Sequence, residues 1–173
     1  MATISRIGFG QLEPNHLSAQ RNGQIYGQLP AAADIAVLEN GQFVKYNYAD
    51  NVCDFAGEGE WMLVYNEVKL YDTFWKESYK DFAMQKKNYN NGEITPRVMK
   101  TMIGDIFTTN CLEGAGARGE KFVGTEDLVV GAELSPNAKG YLSLTGDKSI
   151  VFQVVKVYTM PDGQAAVKVM RIK

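Results

Sequence analysis

The sequence predicts a mainly β protein, an antiparallel sandwich or barrel with an extended N-terminal arm and at most one or two short helices. Short runs of branched and aromatic residues recur along the chain, and turn-forming sequences separate them at short, regular spacing. The chain has 173 residues, of which 45% are hydrophobic and 22% are charged. This composition is typical of a globular protein, and the length suits one domain rather than two.

Residues 1–28 differ from the rest of the chain, and residues 29–173 are predicted to form a single β domain. The first segment is polar and glycine-rich, and its scattered apolar residues follow neither helical nor strand periodicity. It is either a partly ordered tail or an extended arm that becomes ordered on a neighbouring subunit. In the second interpretation the anchoring residues are Ile4, Ile7, Phe9, Leu12 and Leu17. Deleting the arm is then expected to abolish binding and to leave the melting temperature of the β domain nearly unchanged.

The β domain is predicted to begin with a hairpin. Asn40-Gly41 separates the run 35–38 from the run 43–48, and both residues of this dipeptide tolerate positive φ. The next elements are predicted as a turn at 57–60 and strands at 61–65 and 68–71.

The segment 72–87 has two interpretations. Its aromatic residues fit one face of a short helix, and a helix or turn over 73–80 is favoured. The residues 82–84 also suit a strand that leads into the turn sequence Asn90-Asn91-Gly92.

The C-terminal part of the chain is predicted to contain one prominent hairpin. The strand 150–159 is apolar on both faces, which is typical of a central strand. Pro161-Asp162-Gly163 forms a tight turn, and 165–172 is the closing strand. The remaining elements are an extended segment at 94–102, a strand at 103–109 broken at Gly104, a glycine-rich loop at 110–119, and short strands at 128–130 and 141–144 with a connection at 135–140.

The composition argues against several classes of function. Lys and Arg number 18 against 20 Asp and Glu, so the formal net charge is −2, which argues against a nucleic-acid coat or a polybasic membrane anchor. The chain has one histidine, His16, which argues against most metal sites and most histidine-based catalysis. Cys53 and Cys111 are predicted to be reduced packing thiols, since no export signal precedes them. We therefore expect no catalytic residue, no cofactor, no metal site and no membrane partner.

Two patterns have an enzymatic interpretation, and in each the structural one is favoured. The residues 114–119 match the GxGxxG dinucleotide pattern, but the residues after them do not propagate a helix, so a surface loop is predicted. The pairs Glu58/Glu60 and Asp50/Asp54 could serve a hydrolase, but both pairs lie in turn-like, solvated sequence.

Basic residues interleave with aromatic residues between 75 and 100, a pattern found in single-strand nucleic-acid binding. The basic residues are Lys76, Lys80, Lys86, Lys87, Arg97 and Lys100. Acidic neighbours weaken this interpretation. A polar face over an aromatic core strip and an exposed aromatic patch that contacts a protein partner are the alternatives. In the last case the interface aromatics are Tyr71, Phe74 and Trp75.

Three segments carry a resemblance to a known class of proteins. They are Ala33–Val44, Gly59–Val64 and Ile103–Asn110, with Pro96-Arg97 and the closing hairpin in addition. In turn chemistry and strand patterning the chain resembles small structural proteins of tailed bacteriophages, in particular auxiliary or decoration proteins of the capsid. The element Glu39–Val44 and the segment that begins Gly104-Asp105 are the most similar parts.

The resemblance implies a virion structural protein that binds the outside of the capsid in many copies and stabilises the shell. The implied partners are the major capsid protein, further copies of this chain and other head-surface proteins. The implied location is the capsid surface, after synthesis in the host cytoplasm. No catalytic residue comes with the resemblance.

Three other functions stay open at this point. A head–tail connector or tail component would be present in a handful of copies per particle rather than hundreds. A single-stranded nucleic-acid-binding β-barrel would bind DNA in a salt-dependent way. A carboxylate-dependent hydrolase acting on a surface glycan would require Glu58 and Glu60.

Overall fold

A computed structural model of the chain describes residues 8–66, 83–113, 128–160 and 163–173. The predicted mainly β, antiparallel fold class is confirmed, because curled antiparallel sheets form a half-barrel or sandwich arrangement with one short helix among these residues. The strands of the described residues are β1 (Leu12–His16), β2 (Ile25–Tyr26), β3 (Val37–Glu39), β4 (Phe43–Asn47), β5 (Val52–Asp54), β6 (Met62–Val64), β7 (Ala83–Gln85), β8 (Val98–Met99), β9 (Ile106–Thr109), β10 (Glu133–Pro136), β11 (Leu142–Ser143), β12 (Phe152–Thr159) and β13 (Ala165–Arg171). A short helix α1 (Ser18–Asn22) and a 3₁₀ turn at Lys86–Asn88 complete the described elements.

The larger sheet has six strands in the order β1-β9-β13-β12-β10-β11, and each neighbouring pair is antiparallel. Its centre is the hairpin of β12 and β13, in which Val154 pairs with Val169. Gly163 precedes β13 with a φ of +84°, and its N–H donates to the Met160 carbonyl at 2.8 Å. The predicted closing hairpin and the central position of β12 are therefore confirmed.

The smaller sheet has five strands in the order β2-β8-β6-β4-β5, and its central strands are buried on both faces. Phe43 pairs with Leu63, and Leu63 pairs with Met99, on the face toward the larger sheet. Val44 and Met62 pair on the opposite face. Because successive side chains alternate across a strand, this one sheet lines two separate cores.

The inter-sheet core lies between the two sheets. Phe43, Phe107 and Phe152 pack together in it, with ring centroids 5.3–6.4 Å apart. Each such ring contributes roughly 1.5–3 kcal/mol on burial, so this trio is a main source of stability.

The outer core lies on the other side of the smaller sheet. The two-stranded sheet of β3 and β7 covers part of it, with Leu38 paired to Met84. The buried members of the outer core are Ile35, Leu38, Val44, Tyr46, Cys53, Met62, Val64, Met84, Ile94 and Val98.

The Asn40-Gly41 turn is present, but the predicted hairpin is wrong. Gly41 has a φ of +93°, as expected for such a turn. The two strands then separate, because β3 pairs with β7 whereas β4 pairs with β5 and β6. The Gly41 N–H donates to the Val64 carbonyl at 2.9 Å, and a Cβ at this position would lie only 2.5 Å from Thr109 Oγ1. Gly41 is therefore the point at which the chain passes from one sheet to another.

The structure also corrects the prediction of an arm for residues 8–28, which are part of the β body. Strand β1 forms one edge of the larger sheet by pairing with β9, and β2 forms one edge of the smaller sheet. Leu12, Leu17 and Ala19 are buried in the inter-sheet core. A five-residue strand and a five-residue helix are too short to produce a recognisable hydrophobic period, which explains the error.

Two further predictions are corrected, and several lie outside the described residues. Residues 128–130 lead into a turn that includes Val130 and are not a strand. Strand β10 (Glu133–Pro136) instead overlaps the start of the segment 135–140, which was predicted as a connection. The predicted strand at 68–71, the helix at 73–80 and most of the glycine-rich loop at 110–119 lie outside the described residues.

Candidate functional site

The residues predicted as partner contacts have different places in the structure. Leu12 and Leu17 are buried in the chain's own core, so anchoring on a neighbouring subunit is not available to them. Phe9 is half-buried. The other predicted contacts lie outside the described residues; they are Ile4, Ile7, Tyr71, Phe74 and Trp75.

Three of the four carboxylates considered above, Glu60, Asp50 and Asp54, have structural partners. Glu60 forms an ion pair with Arg171, with Oε1 and Nη1 2.7 Å apart. Asp50 and Asp54 both accept hydrogen bonds from the amide of Asn47, at 2.9 and 3.2 Å. Asp54 also caps a turn by accepting the N–H groups of residues 56 and 57. These contacts fix loops of the smaller sheet.

The two cysteines are free and fully buried, in agreement with the predicted packing thiols. Burial raises the pKa of the Cys53 thiol to about 12. Within the described ranges no group of three or more His, Cys, Asp and Glu side chains could hold a metal ion. The same residues include no helix long and apolar enough to cross a membrane.

A buried polar cluster marks the place where three chain segments cross. Glu39 Oε2 accepts the Gly10 N–H at 2.9 Å, and Asn110 Oδ1 accepts the Gln11 N–H at 2.7 Å. The Gln11 side chain is 2% exposed, and neither its Oε1 nor its Nε2 has a hydrogen-bond partner. These bonds tie the N-terminal segment to the two-stranded sheet and to the residue that follows β9, and the Gln11 amide lowers the stability of that junction.

A second polar cluster joins the smaller sheet to the turn before β12. The Trp61 indole donates to Asp147 Oδ2 at 2.6 Å, and Lys45 Nζ lies 4.6 Å from the centroid of the Trp61 ring. Partial burial acts to raise the pKa of Asp147, but hydrogen bonds from Trp61 and Ser149 and the charge of Lys45 lower it below its ordinary value of 3.8. These contacts hold the smaller sheet against the turn before β12.

The largest exposed apolar side chains point to a different kind of site. Ile103 and Tyr48 are each 73% exposed, and Met102 is 42% exposed. The other exposed large hydrophobic residues of the described segments are Val37, Val129, Val130 and Val157. Met102 and Ile103 are adjacent on the turn between β8 and β9, and we name this pair the apolar tip.

The buried Asp105 side chain holds the turn that carries the apolar tip. It is 1% exposed, and its carboxylate accepts three hydrogen bonds, from Ser18 N at 2.9 Å, from Ser18 Oγ at 2.5 Å and from Met102 N at 2.9 Å. The backbone of the turn closes with the Asp105 N–H donating to the Met102 carbonyl at 3.0 Å. Gly104 supplies the positive φ of +92° that this turn requires.

Arg171 holds the same turn through its guanidinium and its backbone carbonyl. Its guanidinium donates to the carbonyl of Thr101 and, at 3.0 Å, to the Thr101 hydroxyl, while it also holds Glu60. Its backbone carbonyl accepts the Gly104 N–H at 2.8 Å. The tip is therefore apolar and exposed, and its turn is held by the Asp105 carboxylate and the Arg171 guanidinium.

Tyr48 extends from the same end of the smaller sheet as the apolar tip. The pairings of Phe43 with Leu63 and of Leu63 with Met99 place the first residue of β4 level with the last residue of β8, two strands apart, and the two strands run in the same direction. Tyr48 follows β4, and the tip follows β8. Neighbouring strands are about 4.8 Å apart, so the level residues Phe43 and Met99 are roughly 10 Å apart.

The sequence prediction did not identify this site. It assigned Ile103 to a strand broken at Gly104, whereas β9 begins at Ile106. The available signal was Gly104-Asp105, a turn sequence that directly follows two apolar residues. Their exposure depends on Ser18 and Arg171, which are distant in sequence.

Comparisons with protein-family models, with curated proteins and with solved structures found no match to this chain. A functional assignment therefore depends on the residues of the chain itself.

Proposed function

We propose that this protein is a virion structural protein that binds the outer surface of a tailed-phage capsid and stabilises the shell. The observation that carries this proposal is the apolar tip, in which Met102 and Ile103 are exposed on a turn fixed by Asp105 and Arg171. Such a feature suits attachment to another protein.

The physical argument concerns the cost of binding. An exposed isoleucine gains roughly 1.5–3 kcal/mol when a partner buries it fully. Most flexible turns lose part of that gain when they become ordered, but a turn already held by hydrogen bonds loses little. Methionine and aromatic residues are enriched in the centres of protein interfaces, and Met102 and Tyr48 extend from the same end of the sheet as Ile103.

The sequence adds support for the capsid as the partner. The apolar tip overlaps the segment Ile103–Asn110, which carries part of the resemblance to phage decoration proteins. An N-terminal contribution from Ile4 and Ile7 remains a prediction.

The first experiment measures copy number. A lysate of the source is fractionated by sedimentation, and this chain is quantified by mass spectrometry in the fraction that contains intact particles. A copy number close to that of the major shell protein supports decoration. A handful of copies per particle indicates a head–tail connector or tail component, and absence from particles contradicts the proposal.

The second experiment tests the apolar tip. Ile103→Asp places a charge where an apolar contact is proposed, and we expect it to abolish co-sedimentation with particles from which the native chain has been removed. Val130→Asp is the matched control, because Val130 is 65% exposed on another turn. Equal binding by both variants would exclude the tip as the contact.

A further inference from the structure

Two sequence segments at the apolar tip contain no acidic residue. Residues 14–33 and 94–104 include no Asp or Glu, although the whole chain has 20 of them and a net charge of −2. The same two segments carry the cations Arg21, Arg97 and Lys100. Charge is therefore segregated along the sequence.

The fold places these two segments side by side. Strand β2 pairs with β8, with Ile25 opposite Met99, and the Asn22 amide lies 3.9 Å from the sulfur of Met102. All three cations are exposed, and we name them, together with the surface between them, the cationic strip. The strip runs along the edge of the smaller sheet and ends at the apolar tip.

The cations of the strip have no acidic partner among the described residues. Arg21 contacts the His16 ring, with Nη2 and Nε2 3.1 Å apart, and Lys100 Nζ lies 5.9 Å from the centroid of the Tyr26 ring. Asp105 is close in sequence, but it is buried and its oxygens accept bonds from Ser18 and Met102. The positive charge of the strip is therefore available to a partner.

We infer that the apolar tip enters an apolar pocket rimmed by carboxylates on an acidic protein surface, which the cationic strip faces. One part of the inference rests on the proposed function, namely that this acidic surface belongs to the capsid shell. Charge complementarity of this kind raises the rate of association and selects the partner.

A protein fits the strip better than two other anionic surfaces. Stable attachment to a membrane takes a long amphipathic face or two anchoring signals, whereas the site has two apolar residues and three cations. Single-stranded nucleic acid stacks on exposed aromatic faces. The Tyr26 ring is covered by Lys100 on one side and packs edge-on against Tyr46 at 6.5 Å.

The test measures association with purified particles that lack the native chain. The double variant Arg21→Glu, Lys100→Glu reverses the charge at two of the three cations of the strip. The control, Lys139→Glu combined with Lys148→Glu, makes the same charge change at exposed residues elsewhere. We expect the association rate of the strip variant to fall by at least roughly tenfold, and that of the control by less than about twofold. The wild-type rate should also fall between roughly 50 and 500 mM NaCl. Thermal melts confirm that both variants fold.

A second measurement separates this inference from the proposed function. The ¹⁵N-labelled chain is titrated with an acidic amphipathic peptide of leucine and glutamate, and shifts are expected at the amides of Arg21, Lys100 and Ile103. Shifts without particle binding would contradict the capsid proposal alone. Equal rates for the two double variants, no peptide shifts, or tighter binding to phosphatidylserine vesicles or to single-stranded DNA would overturn the inference.

Discussion

Asp105 and Ser18 are joined by two hydrogen bonds across 87 residues of sequence, from the Ser18 amide at 2.9 Å and from its hydroxyl at 2.5 Å, both to Asp105 Oδ1. The other carboxylate oxygen accepts the Met102 N–H. One buried side chain thus connects the start of α1 to the turn that carries the apolar tip. The exposure of Ile103 is in this way a property of the fold.

Asp105→Ala should destabilise the protein and loosen the apolar tip. The substitution leaves two backbone N–H groups and a hydroxyl without their acceptor, and each buried unsatisfied group costs about 1–3 kcal/mol. We expect the free energy of unfolding to fall by roughly 3 kcal/mol in urea titrations. Amide relaxation at Ile103 should show new fast motion. Asp50→Ala, at an exposed position, is the control, and an equal loss there would argue against the assigned role.

Leu17→Ala tests whether residues 8–28 belong to the β body. Leu17 is buried in the inter-sheet core, so the substitution should cost about 2–5 kcal/mol of unfolding free energy. Val130→Ala should change it by less than about 0.5 kcal/mol. A Leu17→Ala variant with wild-type stability that fails to bind particles would instead restore the interpretation of Leu17 as an anchor in an arm.

Gln11→Met should leave stability unchanged or raise it by about 1 kcal/mol. The Gln11 amide is buried with both polar atoms unpartnered, and methionine has a similar shape without that penalty. Asn110→Leu is the contrasting variant, because it removes the acceptor of the Gln11 N–H and should be destabilising. If Gln11→Met costs more than about 1 kcal/mol in urea titrations, the amide has an additional bonding role.

Ser149→Ala should raise the pKa of Asp147. Partial burial opposes ionisation of this carboxyl, but the hydrogen bonds from Trp61 and Ser149 outweigh it and hold the pKa below 3.8. A depressed pKa means that the stabilisation is present above the unfolded value of ~3.9 and is lost as pH falls through the folded-state pKa. Carboxyl-detected NMR titration measures the change, and an unaltered pKa would show that the Ser149 hydroxyl bond contributes nothing, since the Ser149 N–H bond to Asp147 remains in this variant.

Elements defined by local turn chemistry could be predicted from the sequence. The hairpin of β12 and β13 was predicted from the sequence Pro161-Asp162-Gly163 and from the apolar runs on both sides of it, and the structure contains the two paired strands. The Asn40-Gly41 turn was also predictable, but its strand pairing was not. A turn sequence specifies a reversal of direction, whereas the partners of β3 and β4 are β7, β5 and β6, which are distant in the chain.

The candidate site depended on long-range contacts and could not be predicted. Ile103 resembles a strand residue because apolar residues surround it in the sequence. It is exposed because Gly104 turns the chain and because Ser18 and Arg171 hold that turn. Leu12 and Leu17 illustrate the converse, since their burial depends on β9 and on other residues of the inter-sheet core.

The burial of both faces of the smaller sheet also determines which strands can unfold locally. Because Phe43 and Leu63 contact one core while Val44 and Met62 contact the other, neither core can separate without disturbing the same strands. Amide protons of β4 and β6 should therefore exchange with solvent only through global unfolding. The edge strand β2, which lies beside the cationic strip, should exchange by local fraying. The interior strands β4 and β6 thus stay rigid, whereas the edge strand β2 can adjust its conformation to a bound partner.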